Sequence, residues 1–237
     1  MDWQIRPARD LGLAPGARLR SLSRERGLGG LVLNGAWRRL LRLYLAAAHG
    51  LEVTGRENLP KPPFVMIANH TSHLDALTLG AALRGEAARA AHALAAEEVF
   101  FGSDAGAAFA AYAINALPVR RGRTKRGEIE TLRSRLVEDR LVYILFPEGT
   151  RSRTGELGPF QPGLGLLVAG TPVPVVPCWL EGAFACWPAQ QRWPRPGKLR
   201  LRVGAPLSFA EATADAAGRA AVAATSQAAV AALAPGR

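Results

Sequence analysis

Short apolar runs, each cut off by a polar turn and followed by a stretch long enough for a helix, recur along this chain and restrict its fold more than any other feature. FVMIA occupies 64–68, AHALAA 91–96, LPV 117–119, VYILF 142–146, VPVVPCWL 173–180 and LRLRVG 199–204, with LEVTG at 51–55 a further strand candidate. Strands covered on both faces read as continuous apolar runs, not as an in–out alternation. Helical stretches are expected at 74–84, 99–113 and 125–139, and a further apolar run lies at 164–169. This β–α alternation predicts an α/β fold, a mixed sheet flanked by helices. From Ser208 the chain becomes alanine-rich, and Ser208 with Glu211 reads as a capping box opening a last helix. The 237 residues fit one domain with a short appendage. Residues 1–50 are expected to form a basic lead-in and an amphipathic helix, and 51–237 the α/β domain.

The lead-in over 1–30 has no clear period and is expected to be loosely structured. Next, LVLNGAWRRLLRLYLAAA at 31–48 reads as a helix. Arg38, Arg39 and Arg42 are expected on one face, and Leu33, Trp37, Leu40, Leu41, Tyr44 and Leu45 on a broad apolar one. A short basic helix carrying Trp and Tyr suits a bilayer surface. The formal net charge is +11, from 27 arginines and 3 lysines against 19 acidic residues. Such an excess favours a polyanionic partner, an anionic membrane surface or a nucleic acid, and composition alone does not choose between them. The start MDWQIRPARD lacks the pattern of a secretory signal, and no run reaches 18 apolar residues, so no membrane span is expected. Two cysteines, Cys178 and Cys186, form no framework, which favours a reducing compartment and hence the cytoplasmic face.

Chemistry concentrates where two apolar runs end. After FVMIA comes NHTSHLDAL (69–77), in which His70 precedes Asp75 by five residues. Imidazole is suited to taking a proton near neutral pH, and a carboxylate one helical turn on can fix its tautomer. The same residues also suit a helix start, with Thr71 or Ser72 as cap and Asp75 in the first turn. His70, His73 and Asp75 could be imagined as metal ligands, but their spacing matches no zinc pattern, and His73 reads better as a helix-surface residue. After VYIL comes FPEGTRSRTG (146–155): Gly149 permits a tight turn, Thr150 and Arg151 offer donors to an anion, and Glu148 can hold the arginine or accept from a hydroxyl. A surface turn with a Glu–Arg pair is the plainer reading of that segment. LPVRRGR at 117–123 adds Arg120 and Arg121.

Taken together these segments resemble the glycerolipid acyltransferases of the lysophosphatidic acid acyltransferase type. The N-H-x-S-x-x-D motif is matched by Asn69, His70, Ser72 and Asp75. The arginine before glycine is matched by Arg121 and Gly122, F-P-E-G-T-R-S by residues 146–152, and the V-P of a late strand by Val176 and Pro177. The resemblance covers roughly 51–205. It departs at Arg120, where an acidic or amide residue is common, and at Phe160–Gly163, where Gln161 replaces a lysine. The resemblance implies transfer of a fatty acyl group from acyl-CoA or acyl carrier protein to the hydroxyl of a lysophospholipid, most often lysophosphatidic acid. Another lyso-lipid or glycerol phosphate is the alternative acceptor. His70 would act as base and Asp75 would orient it, while Arg121, Glu148, Gly149, Thr150 and Arg151 would hold the acceptor's phosphate. It implies no metal and no cofactor beyond the thioester co-substrate. Membrane contact would be peripheral, and a nucleic-acid partner is not expected, because no RNA motif or helix-turn-helix signal is present.

Overall fold

The apolar runs line up as seven strands of a single sheet. The computed structural model describes residues 7–25, 27–120 and 125–236, the side chains of 99 and 100 excepted. Strands β1 (Glu52–Thr54), β2 (Phe64–Ala68), β3 (Ala91–Ala96), β4 (Leu117–Val119), β5 (Val142–Leu145), β6 (Val175–Glu181) and β7 (Arg200–Val203) stand in the order β1-β7-β6-β2-β5-β3-β4. β6, β2, β5, β3 and β4 run parallel. β7 is antiparallel to β6, and β1 runs with β7, which makes the sheet mixed. The central strand β2 is buried on both faces, as a continuous apolar run requires.

Helices cover both faces. In chain order they are α1 (Pro15–Leu19), α2 (Leu28–His49), α3 (Asp75–Ala82), α4 (Gly85–Ala90), α5 (Glu97–Phe100), α6 (Asp104–Tyr112), α7 (Arg126–Glu138), α8 (Gly163–Val168), α9 (Ala183–Cys186) and α10 (Ala216–Ala232). Phe64, Met66 and Ala68 of β2 point into one core with Leu41 and Leu45 of α2, Leu79 of α3 and Ala107 of α6. Val65 and Ile67 point the other way, against Leu136 of α7, Leu164 of α8 and Val222 of α10. This period-two division of a single strand builds two hydrophobic layers.

Several boundaries differ from the sequence expectations. The helix expected over 74–84 stops at Ala82, because Leu83 and Arg84 are extended, and a second helix restarts at Gly85. The helix expected over 99–113 is divided, and Ser103 caps the second part by accepting from the Gly106 amide at 3.1 Å. The last helix starts at Ala216, not Ser208: Leu207 is held extended by reciprocal backbone bonds to Val175, and Asp215 caps by accepting from the Gly218 amide at 2.8 Å. The described part of the lead-in is pinned. Arg24 is buried and donates to Asn115 Oδ1 (3.2 Å) and the Ala116 carbonyl (2.8 Å), while Arg135 donates to the carbonyls of Leu22 and Arg24.

Helix α2 presents a different face from the one the sequence suggested. Leu41 and Leu45 go into the core, whereas Leu33, Leu40 and Tyr44 stay exposed with Val32 and Leu43. Its arginines do not share one solvent face. Arg38 donates to Asn34 Oδ1, Arg42 reaches the carbonyls of Ala81 and Leu83 at the end of α3, and Arg39 is exposed. Among the described residues no helix is long and apolar enough to cross a membrane.

Candidate active site

Strands β2 and β5 are parallel neighbours with Ile67 opposite Leu145, so the loops leaving their carboxyl ends emerge side by side. In open α/β sheets this edge is where ligands bind. It brings NHTSHLD and FPEGTRS together although His70 and Glu148 lie 78 residues apart.

Asp75 is the first residue of α3 and fully buried. Its Oδ2 accepts from the Thr71 amide (2.7 Å), the Ser72 amide (2.8 Å) and His70 Nδ1 (2.8 Å). A carboxylate only accepts, so Nδ1 carries the hydrogen and Nε2 holds the lone pair. The helix-start reading and the base reading are therefore both satisfied by one side chain. Asp75 Oδ1 is buried without a partner, so the carboxylate gains from positive charge on the adjacent ring. Phe146 stacks on the imidazole at 4.1 Å with 15° between the planes, and the ring keeps 22% of its surface exposed. The imidazole is thus clamped on one nitrogen and one face, and Nε2 makes no bond to the described residues.

Glu148 does something the sequence did not suggest. Its Oε1 accepts from the His70 amide at 2.7 Å and its Oε2 from the Gly158 amide at 2.9 Å. The carboxylate is committed to backbone, neither holding Arg151 nor free for a hydroxyl. Burial pushes its pKa up, opposed by those two amide bonds. A Cβ on Gly158 would lie 2.9 Å from Oε2, so any other residue there would push the carboxylate off its position. The Ser152 amide donates to the His70 carbonyl at 2.7 Å and completes the seam. Gly149 turns the loop at φ +75°. Thr150 is exposed beside it.

Arg151 lies against His73, with Nη1 2.6 and 2.7 Å from the two ring nitrogens. His73 is half-buried ahead of α3, not on its surface, and packs on Trp187 at 4.9 Å. Burial first, and then the charge of Arg151, lowers its pKa from the ordinary 6.5. Among the described residues no three His, Cys, Asp or Glu side chains are grouped to hold a metal ion. Arg120 pairs with Glu97 at 2.5 Å. Arg121 and Gly122 lie outside the described residues.

Three residues escaped the sequence reading as parts of this site. Asn69 exchanges two bonds with the Leu180 backbone, tying the loop to β6. Ser72 donates to the Trp187 carbonyl, which also receives the His73 amide. Gly158 closes the Glu148 clasp. Asn69 and Ser72 sit inside the motif and could have been singled out, whereas nothing local marks Trp187 or Gly158.

A histidine–carboxylate pair at the carboxyl edge of parallel strands, beside an arginine-bearing glycine turn, defines a class of α/β site with a proton-accepting nitrogen and a cation at one edge. The family model described as "Acyltransferase" matches residues 50–181, and the chain belongs to that family. The human 1-acyl-sn-glycerol-3-phosphate acyltransferase alpha is 29% identical over 185 residues, 75% of this chain and 62% of the relative. The chloroplastic 1-acyl-sn-glycerol-3-phosphate acyltransferase BAT2 of Brassica napus is 33% identical over 141 residues, 58% of this chain and 39% of that one. The chain therefore spans less than two thirds of these curated relatives. Among solved structures, the 1-acyl-sn-glycerophosphate (LPA) acyltransferase PlsC of Thermotoga maritima superposes with a TM-score of 0.62 at 26% identity, covering 86% of this chain and 79% of that one.

Proposed function

We propose that the protein transfers a fatty acyl group from a thioester, acyl-CoA or acyl carrier protein, to the free hydroxyl of lysophosphatidic acid. The observation that carries this reading is the His70–Asp75 bond of 2.8 Å, which leaves Nε2 as acceptor at an edge shared with Arg151. His70 Nε2 takes the hydroxyl proton as the oxygen attacks the thioester carbonyl. Asp75 stabilises the imidazolium so formed. The carbon–sulfur bond breaks as the tetrahedral intermediate collapses, and the imidazolium returns its proton to the departing thiolate. Arg151 holds the acceptor's phosphate, with the Thr150 hydroxyl a further donor and Arg121 a further cation, while Gly149, whose amide donates to the Phe146 carbonyl, shapes the turn that presents them. Glu148 acts on the loops and not on substrate.

Membrane engagement is peripheral, through α2. Its outward residues Val32, Leu33, Leu40 and Leu43 are all more than half exposed, and the helix is basic at its flank. The test is thiol release from palmitoyl-CoA against a panel of lysophospholipids and glycerol phosphate in vesicles, with wild type and His70→Ala. Release that depends on lysophosphatidic acid and vanishes in the variant supports the reading. Release with another lyso-lipid alone reassigns the acceptor. Silence with both thioester donors overturns acyl transfer.

A further inference from the structure

A cavity of about 280 Å³ opens at the end of α3 remote from Asp75, lined by Arg56, Lys61, Arg84, Glu86 and the apolar Leu59 and Pro62. The helix separates it from the catalytic pair by about 10 Å at 1.5 Å per residue. Arg42 of α2 reaches the same place, and the Ala81 carbonyl accepts from both Arg42 Nε (3.1 Å) and Arg84 Nη1 (2.7 Å). Two guanidinium groups are thus held on one oxygen. Burial, and then the charge of Arg56, disfavours the protonated form of Arg42; burial followed by the charges of Arg42 and Arg56 does so for Arg84.

None of Arg42, Arg56, Lys61 and Arg84 forms an ion pair among the described residues. Arginines elsewhere do: Arg18 with Asp10, Arg20 with Asp104, Arg120 with Glu97, and Arg200 and Arg202 with Glu181. Three lining cations, with Arg42 beside them, outnumber the single carboxylate of Glu86 and leave a net positive seat for an anion. The neighbouring surface says where the anion resides. Arg42 is adjacent in the chain to Leu43, which is 67% exposed, and Leu40, 62% exposed, lies on the same outward strip of α2. An apolar strip rimmed by basic side chains fits a leaflet with anionic headgroups.

We infer that the Arg56–Lys61–Arg84 cavity, with Arg42 beside it, binds the phosphate headgroup of an anionic phospholipid in the leaflet on which α2 lies, at a site separate from the acceptor at His70. This rests on the peripheral-membrane reading of α2. The bound headgroup would orient the domain on the surface without taking part in acyl transfer.

The experiment is vesicle co-sedimentation of the full chain, with phosphatidylcholine vesicles prepared with and without phosphatidylglycerol. Arg56→Gln with Arg84→Gln should lower affinity for the anionic vesicles about thirtyfold and leave neutral-vesicle binding unchanged, in line with the contribution of two basic residues near a charged surface. Arg126→Gln with Arg219→Gln, on helices of the opposite layer, removes the same charge and should lose far less. Equal losses in the two pairs would reduce the effect to net charge and overturn the site. Glycerol phosphate competing at concentrations near its own binding constant would assign the cavity to soluble phosphates and overturn the lipid assignment. Leu40→Asp with Leu43→Asp tests the underlying reading separately. Unchanged binding to both vesicle types in that variant would sink membrane contact through α2, whatever the arginine pair does.

Discussion

The two ends of α3 solve opposite electrostatic problems. At its start, buried charge is matched group by group: Asp75 Oδ2 takes three donors, Glu148 takes two amides and Asn69 two backbone partners. At its end, Arg42, Arg56, Lys61 and Arg84 converge with no carboxylate paired to them. A cluster bonded this densely, even with Asp75 Oδ1 left over, fixes one geometry. A cluster of unpaired like charges stores repulsion that a ligand can relieve. The contrast matches the division proposed above, between an end of α3 for chemistry and an end for contact.

The largest effect that can break this contrast is at His70. His70→Ala is expected to lower kcat by roughly 10²–10⁴, the usual worth of a positioned base, with the circular dichroism spectrum unchanged. Near-normal turnover would show that the wiring around Asp75 is scaffolding only. Glu148→Ala should come next, since it strands two amides: a loss of about 2–4 kcal/mol in urea unfolding is expected from leaving both unsatisfied. Gly158→Ala should move stability in the same direction, and a neutral result for both would remove the clasp from the account. Arg151→Ala should raise the acceptor KM roughly 10- to 100-fold with a smaller change in kcat, as for loss of a charge-assisted bond. A change confined to kcat would place Arg151 on the reacting groups instead.

Smaller effects sharpen the comparison. His73 has a folded-state pKa below the ordinary 6.5, so the folded state resists its protonation. Its contribution to stability is fully present above about pH 6.5 and is lost as pH falls through the lower folded-state value. His73→Gln should therefore flatten the dependence of Tm on pH in that acid window, where Arg151, His70 and Asp75 all bear on the ring. A parallel pair of curves would refute the linkage. The smallest change is expected at Arg84→Gln: stability equal to wild type within about 0.5 kcal/mol, or slightly higher at low salt, because like-charge repulsion is relieved. Marked destabilisation would mean that the basic cluster is structural.

Strands β2 to β6 announced themselves as apolar runs, because strands covered on both faces have no polar side to display, whereas β1 and β7 alternate polar with apolar residues. The sheet order could not be read that way. Which runs become neighbours depends on long crossovers, and β2 lies between β5 and β6, which are distant from it in the chain. Helix breaks were missed at Leu83 and around Ser103, where polar and glycine residues stood in view but the extended backbone they adopt did not. The start of α10 was misplaced because Leu207 pairs with Val175, a tertiary bond that no local cap competes with.

His70, Asp75 and the glycine turn were marked by residue type and spacing, since a proton acceptor, its orienter and an anion donor each need a specific side chain at a strand's end. Glu148 shows where that reasoning stops. Its identity was visible, but its partners were not, because the amides of His70 and Gly158 reach it only when β2 and β5 lie side by side. The basic cavity is the same lesson in reverse: Arg42, Arg56, Lys61 and Arg84 were ordinary members of an arginine-rich composition. The sequence by itself determined the strand set and the chemistry of the motifs, because both are carried by residue type and local order. The tertiary structure alone decided which charges are matched and which are left facing one another, because Coulomb energy depends on distances that the chain order does not contain.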